Sequence, residues 1–314
     1  MAGPPDETIR ALLQRWLPGQ GLLFARADSG VSTPVYRVDV TATGEVYFLR
    51  LAEVAGERRE AEVHVHQALT AAGLPVPMIA TWEAHPPELD RSAALTTSIP
   101  GKPLRDCFSL DNTSSTTVVR AAGQDLARIN RVPVRGFGWV QSVAADGALV
   151  AEHATRSAWT VEYAQAAVEV SGQGILCRTA MDQLHAVLGR WLDHPDQVIS
   201  SLAHGDFDAT HIYLEEQSAA YTGIIDFGEI RGADQVYDLG HALLQDHHPG
   251  TPPIFPAVCA GYQEVTSLPD DVMMTIREQA IAIATRQLAI FLRRAAPRVP
   301  SLTRALETLL ETAK

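Results

Sequence analysis

The residues best suited to chemistry crowd into one stretch, Leu202 to Leu244. It carries His204, Gly205 and Asp206 in a polar loop, Asp226, Phe227 and Gly228 at a second acidic tip, and a helical pattern opening at Asp238. Two apolar runs, Ile212 to Leu214 and Tyr221 to Ile225, flank the turn-rich Glu215 to Ala220, and this spacing predicts a hairpin. Folding the runs back on each other brings His211, just before the first strand, near Asp226, just after the second. Asp206 sits one short loop upstream. Carboxylates gathered at one end of a hairpin repel one another unless a cation or a transferable proton offsets them. The arrangement therefore points to a metal ion and a proton acceptor.

The rest of the chain must supply the elements that hold these loops. An amphipathic helix is expected over Asp6 to Leu17, followed by strands at Leu22 to Arg26, Val35 to Val40 and Val46 to Leu51. In the third of these, Val46, Phe48 and Arg50 share one face. Arg50 alone reads as an edge arginine reaching for water. The following helix, Glu57 to Ala72, changes that reading, because Glu62, Val65 and Leu69 fall on one apolar stripe while Glu60 faces the wet side. A carboxylate on a buried stripe requires a cation, and Arg50 is the available partner. Between the first two strands, the small-residue loop Asp28 to Thr33, with Ser29 and Gly30 at its centre, offers amides and hydroxyls to phosphates, although a plain turn has the same composition. Strands at Met78 to Trp82 and Ala93 to Ile99 complete a strand-rich first part.

Pro100-Gly101-Lys102-Pro103 interrupts the chain, and from there the pattern turns helical. Helices are expected over Thr116 to Ile129, Trp159 to Val170, Thr179 to Leu192, Asp271 to Arg294 and Leu302 to Thr312, with Arg135 to Val140 as a turn carrying aromatic anchors. The domain division expected is an α+β chain with residues 1–98 as a strand-rich lobe and 99–314 as a larger helical lobe.

Composition narrows the function classes. At 314 residues with 46% hydrophobic content, the chain can bury a large core, and its formal charge of −12 argues against nucleic acid as a partner. Cys107, Cys177 and Cys259 stand in no metal or redox spacing. No run reaches the length of a membrane span and the N-terminus lacks a leader pattern, so a cytoplasmic location is expected. His241, His247 and His248 are not at the spacing of a helical metal pair and are expected at a helix end or on the surface.

Taken jointly, His204-Gly205-Asp206, the polar residue at 211, Ile224 to Gly228, Gly232-Ala233-Asp234 and Asp238-Leu239 resemble the aminoglycoside phosphotransferase family. Leu49-Arg50-Leu51, the Glu62 to Leu69 helix, Leu74 to Pro77, Ile99 to Leu104 and Gly136 to Trp139 follow the family in order and spacing, so the resemblance covers most of the chain. It implies a two-lobed protein-kinase-like fold, an N-terminal antiparallel sheet with one key helix before a mainly helical C-terminal lobe, with ATP or GTP as co-substrate in the cleft between the lobes. It implies Asp206 as the base that accepts the acceptor hydroxyl's proton, Asp226 as a magnesium ligand, and His204 and Asp238 as supports of the catalytic loop. Arg50, with Glu62, would contact the nucleotide phosphates, and the backbones of Thr97 and Ile99 would meet the base.

Two positions depart from the family pattern. His211 replaces the usual metal-ligating asparagine, a change shared with macrolide phosphotransferases, and Arg50 replaces a lysine. Asp208 has no family role and reads as a solvated loop acid. The function expected is a small-molecule kinase that phosphorylates a hydroxyl of an antibiotic, an aminoglycoside first, with a macrolide or an endogenous sugar or amino alcohol as the alternative. A catalytically silent nucleotide-binding module is the reading from another class. A hydrolase built on His204, Asp206 and the downstream histidines lacks a second ligand cluster.

Overall fold

A computed structural model describes residues 4–27, 34–53, 59–107, 112–195, 200–248, 251 and 253–312. The chain divides into two compact units, Met1–Pro100 and Gly101–Lys314.

In the first unit, helix α1 (Asp6–Trp16) precedes strands β1 (Leu22–Arg26), β2 (Val35–Val40) and β3 (Val46–Leu51). Helix α2 (Glu60–Ala71) follows, then β4 (Ile79–Glu83) and β5 (Ala93–Thr97). The strands form one antiparallel sheet in the order β1-β2-β3-β5-β4. Alternation along β3 decides which helix covers which face. Leu49 and Leu51 join Ile9, Leu12 and Leu13 of α1 in one core cluster with Tyr36, Val38 and Leu95. Arg50 points the other way and meets Glu62 of α2, so the two helices cover opposite faces. Burial of Ala61, Glu62, Val65 and Leu69 fixes the inner stripe of α2, while Glu60 stays exposed.

The second unit opens with β6 (Lys102–Pro103), α3 (Asn112–Ile129), β7 (Val134–Arg135), β8 (Phe137–Val143) and β9 (Leu149–His153). It continues through α4 (Arg156–Gly172), α5 (Arg178–Leu192), β10 (Ser201–Ala203), β11 (Ile212–Leu214), β12 (Tyr221–Ile224) and β13 (Arg231–Ala233). Helices α6 (Tyr237–Asp246), α7 (Phe255–Val265), α8 (Val272–Arg293) and α9 (Val299–Glu311) close it. One sheet runs β10-β13-β8-β9-β7 and a smaller one β12-β11-β6. Helix α8 is the axis of the helical packing, touching α4, α5, α6 and α9 through a stripe that includes Ile276, Ala280, Ile283 and Leu288.

Two expectations need correction. Arg135 to Val140 is not a turn: most of it belongs to β8, which pairs with β13 and β9. Gly136 and Gly138 adopt φ of 89° and 86°, and these left-handed kinks give the stretch its turn-like composition. His241 is not at a helix end or on the surface but buried in mid-α6 against the Tyr237 ring, and burial holds its pKa well below the usual histidine value. Among the described residues, no helix is long and apolar enough to cross a membrane.

Candidate active site

The hairpin β11–β12 builds the acidic end of the second unit. Its register places Ile212 opposite Ile224, and the His211 carbonyl accepts the N–H of Ile225 at 3.0 Å. His211 and Asp226 consequently emerge side by side, with Nε2 and Oδ2 3.8 Å apart. Asp226 itself sits at φ 67°, ψ 68°, a left-handed conformation that costs a non-glycine residue energy. Its carboxylate accepts the N–H of Gly228 at 3.3 Å, which offsets part of that cost by capping the turn.

Asp206 belongs to the loop after β10, and that loop is held by a single buried carboxylate. Asp238 Oδ2 accepts the N–H of His204 at 2.8 Å, and Oδ1 accepts that of Gly205 at 2.9 Å. Asn130 completes the brace, donating Nδ2 to Asp238 Oδ2 at 2.9 Å and to the Leu202 carbonyl at 2.8 Å. Gly205 is required on two counts: its φ is 88°, and a Cβ there would run into the Glu229 carbonyl. The His204 ring bridges the two tips, donating Nε2–H to the Ile225 carbonyl at 2.9 Å and accepting the Asp206 N–H on Nδ1 at 3.3 Å. Both ring nitrogens are thereby assigned, and burial lowers the His204 pKa, keeping the ring neutral.

The electrostatics of Asp206 suit a proton acceptor. Burial raises its carboxyl pKa, the His211 ring opposes that, and the charges of Asp208, Glu229 and Asp226 raise it further, to about 6. A base with that affinity is mostly ionised at neutral pH yet still takes a proton readily. His211 is also buried, which alone lowers its pKa, but Asp208, Asp206 and Asp226 together carry the balance upward. Asp208 is no free solvated acid: it accepts the N–H of Thr210 at 2.7 Å and also the Thr210 hydroxyl, closing an Asx turn.

For a divalent ion, the donor set fits. His211 Nε2 and Asp226 Oδ2 lie at a separation that one ion with bonds of about 2.1 Å can span. Among the described residues no cluster of three His, Cys, Asp or Glu side chains is suited to a metal. The protein would thus give two ligands and leave the others to phosphate oxygens and water, as nucleotide-bound magnesium prefers.

In the first unit, Arg50 Nε lies 3.1 Å from Glu62 Oε1, and both side chains are nearly buried. A second arginine, Arg59, donates Nη1 to Glu62 Oε2 at 2.6 Å. Burial raises the Glu62 pKa, but Arg50 and Arg59 outweigh it and the net shift is downward, so the carboxylate stays ionised. Thr97 donates its backbone N–H to the Met78 carbonyl at 2.9 Å and accepts the Met78 N–H on its hydroxyl at 3.0 Å. Ile99 is half-buried in the segment after β5. Ser29 and Gly30 lie outside the described residues.

Asn130, Arg59 and Arg231 are the site residues that sequence reasoning missed. Arg59 stands three residues before Glu62, a helical spacing that signals the pair. Arg231 lies between the rings of Trp139 and Tyr237, its Cζ 4.7 Å and 5.5 Å from their centroids. Its Nη2 holds the Glu229 carboxylate at 2.8 Å.

A buried aspartate with a pKa near 6 stands beside a carboxylate–imidazole pair, and the architecture around them is that of a kinase-like phosphotransferase. The chain belongs to the phosphotransferase enzyme family, whose sequence profile matches residues 24–272. It is accordingly an enzyme that uses a nucleoside triphosphate to phosphorylate an alcohol group. Solved structures share its fold at low identity. A thermostable mutant of aminoglycoside phosphotransferase APH(4)-Ia, in a ternary complex with AMP-PNP and hygromycin B, superposes with a TM-score of 0.71 at 16% identity, covering 97% of this chain and 98% of that one. The gentamicin complex of APH(2")-IIa gives 0.63 at 14% identity, covering 99% and 97%. Macrolide 2'-phosphotransferase MphH from Brachybacterium faecium gives 0.60 at 18% identity, covering 96% and 98%. No curated protein sequence matches the chain.

Proposed function

We propose that the enzyme transfers the γ-phosphate of ATP or GTP to a hydroxyl of an aminoglycoside antibiotic. The observation that carries the choice of acceptor is the sign of the surroundings of Asp206: Asp208, Glu229 and Asp226 act on it through space, and a polycationic acceptor suits such a site. Asp206 receives the proton of the attacking hydroxyl as its oxygen bonds to the γ-phosphorus. The bond from that phosphorus to the bridging oxygen breaks and the nucleoside diphosphate leaves. His204 keeps the base oriented through its contact with the Asp206 N–H. His211 and Asp226 would hold a divalent cation, magnesium in the ordinary kinase case, which when bound neutralises phosphate charge. Arg50, fixed by Glu62, would contact the phosphates.

A macrolide acceptor is the second reading, and the histidine at position 211 favours it, because macrolide phosphotransferases resemble this chain there. Purified protein incubated with magnesium and ATP or GTP, against panels of both antibiotic classes, separates the readings by mass spectrometry. A gain of about 80 daltons, one phosphate added to one hydroxyl, is expected on an aminoglycoside. Gain on macrolides alone selects the second reading, and no gain on any compound removes both.

A further inference from the structure

Arg231 is buried to 1% exposure, yet two of its three side-chain nitrogens are committed to one residue whose side chain is 39% exposed. Nε donates to the Glu229 carbonyl at 3.1 Å and Nη2 to the Glu229 carboxylate at 2.8 Å, so one guanidinium clamps backbone and side chain of the same residue. Pairing of β13 with β8 sets Arg231 opposite Trp139, and the guanidinium is enclosed between the Trp139 and Tyr237 rings. Among the described residues, the third nitrogen, Nη1, is buried without a hydrogen-bond partner. Leaving a donor of a buried cation unpaired is costly, so core packing alone does not account for this arginine. What it achieves is to hold a solvent-facing carboxylate in one place.

That place adjoins the base. A Cβ on Gly205 would meet the Glu229 carbonyl and, at 3.0 Å, Arg231 Nε, and the residue after Gly205 is Asp206. From this geometry we infer that Glu229 binds an ammonium group of the acceptor beside the hydroxyl that is phosphorylated, and that Arg231 is its positioning residue. The role rests on the reading of Asp206 as the base toward a cationic acceptor. An exposed glutamate ordinarily loses rotamer freedom when it captures a cation, and one already clamped loses less. The two aromatic faces share the charge of the guanidinium, so Arg231 does not cancel the carboxylate. The charge of Glu229 is in fact felt at Asp206, whose carboxyl pKa it helps to raise. In the opposing arrangement the clamp only fixes the turn that follows Asp226, and its loss acts alike on every acceptor or on the nucleotide.

The two arrangements differ in steady-state kinetics. Full-length wild type and Glu229→Gln, matched for melting behaviour, are compared on an aminoglycoside that the wild type phosphorylates and on analogues in which each amino group in turn is replaced by hydroxyl. On the parent compound, kcat/KM is expected to fall at least about tenfold in Glu229→Gln, mainly through KM, the size of one charge-assisted contact. On the one analogue that lacks the amino group held by Glu229, the two proteins are expected to share the same KM. Arg231→Lys keeps a charge but not the planar fork, and its KM rise is expected to run through the same amino group. Glu229→Gln decides the matter should Arg231→Lys fail to fold. An unchanged KM, a rise equal on all analogues, or weakened AMP-PNP binding in place of a KM rise overturns the inference and leaves the acceptor reading standing. Failure of the wild type to phosphorylate any amine-bearing compound overturns both.

Discussion

Asp206 is held in a place that favours its protonated form, and that has a cost the apo protein should display. Its folded-state pKa of about 6 exceeds the unfolded carboxylate value near 3.8, so the folded chain binds its proton more tightly. This contribution to stability is fully present below about pH 4 and is lost as pH rises through about 6. Asp206→Asn should therefore abolish turnover, by about a thousandfold or more, while making the nucleotide-free protein more stable at pH 8 by on the order of 2 kcal/mol. The gain should shrink to about 0.5 kcal/mol at pH 4, where Asp206 is protonated in the folded chain and only about half protonated in the unfolded one. Urea midpoints of the two proteins at both pH values check this, and equal stability at pH 8 would contradict the assigned pKa. With Asp206 as the proposed base, the pH profile of kcat/KM is expected to show an acidic limb, falling as pH drops through about 6.

At the scale of elements, the loop after β10 is a junction of three segments that converge on Asp238. Asp238→Asn keeps the shape but offers one accepting oxygen and an amide that repels the donors around it. The N–H groups of His204 and Gly205 and the amide of Asn130 then compete for too few acceptors. A loss of about 3 kcal/mol is expected in chemical denaturation, together with a fall in kcat; an unchanged midpoint would show that water can replace the carboxylate. How legible these elements are in the sequence depends on how local their causes are. Strands β2 and β3 follow from alternation, and α8 from its apolar spacing, because each buries one face against a neighbour. Glu62 stands out as a charge on an apolar stripe, which makes its pairing with Arg50 readable in the sequence. The partners of Asn130, and of the buried Arg156, which donates Nε to Asp234 Oδ2 at 3.2 Å, are different. They lie 72 and 108 residues away for Asn130 and 78 for Arg156, so no window of sequence contains both ends of the contact. Strand β8 was obscured for another reason, since two of its signals, Gly136 and Gly138, are also the signals of a turn.

At the scale of the whole molecule, the formal charge of −12 acts on any charged acceptor before contact. For a cationic acceptor, raising ionic strength until the Debye length shrinks to about 8 Å should raise KM by about threefold and leave kcat unchanged. A KM indifferent to salt would mean that only contacts at the site attract the substrate. The division into two compact units gives each its own core, and the chemistry-bearing loops of the second are assembled from distant stretches of one chain. That assembly has a consequence in time. During synthesis, His204 and Gly205 leave the ribosome 34 and 33 residues ahead of Asp238, the residue whose carboxylate receives their N–H groups. Until translation supplies that carboxylate, the two amides have only water to bind, and the loop has no reason to hold its shape. A nascent chain halted after the hairpin already contains Asp206, His211 and Asp226 but not yet the means to aim them. The loop that carries Asp206 is therefore expected to take its shape late in synthesis.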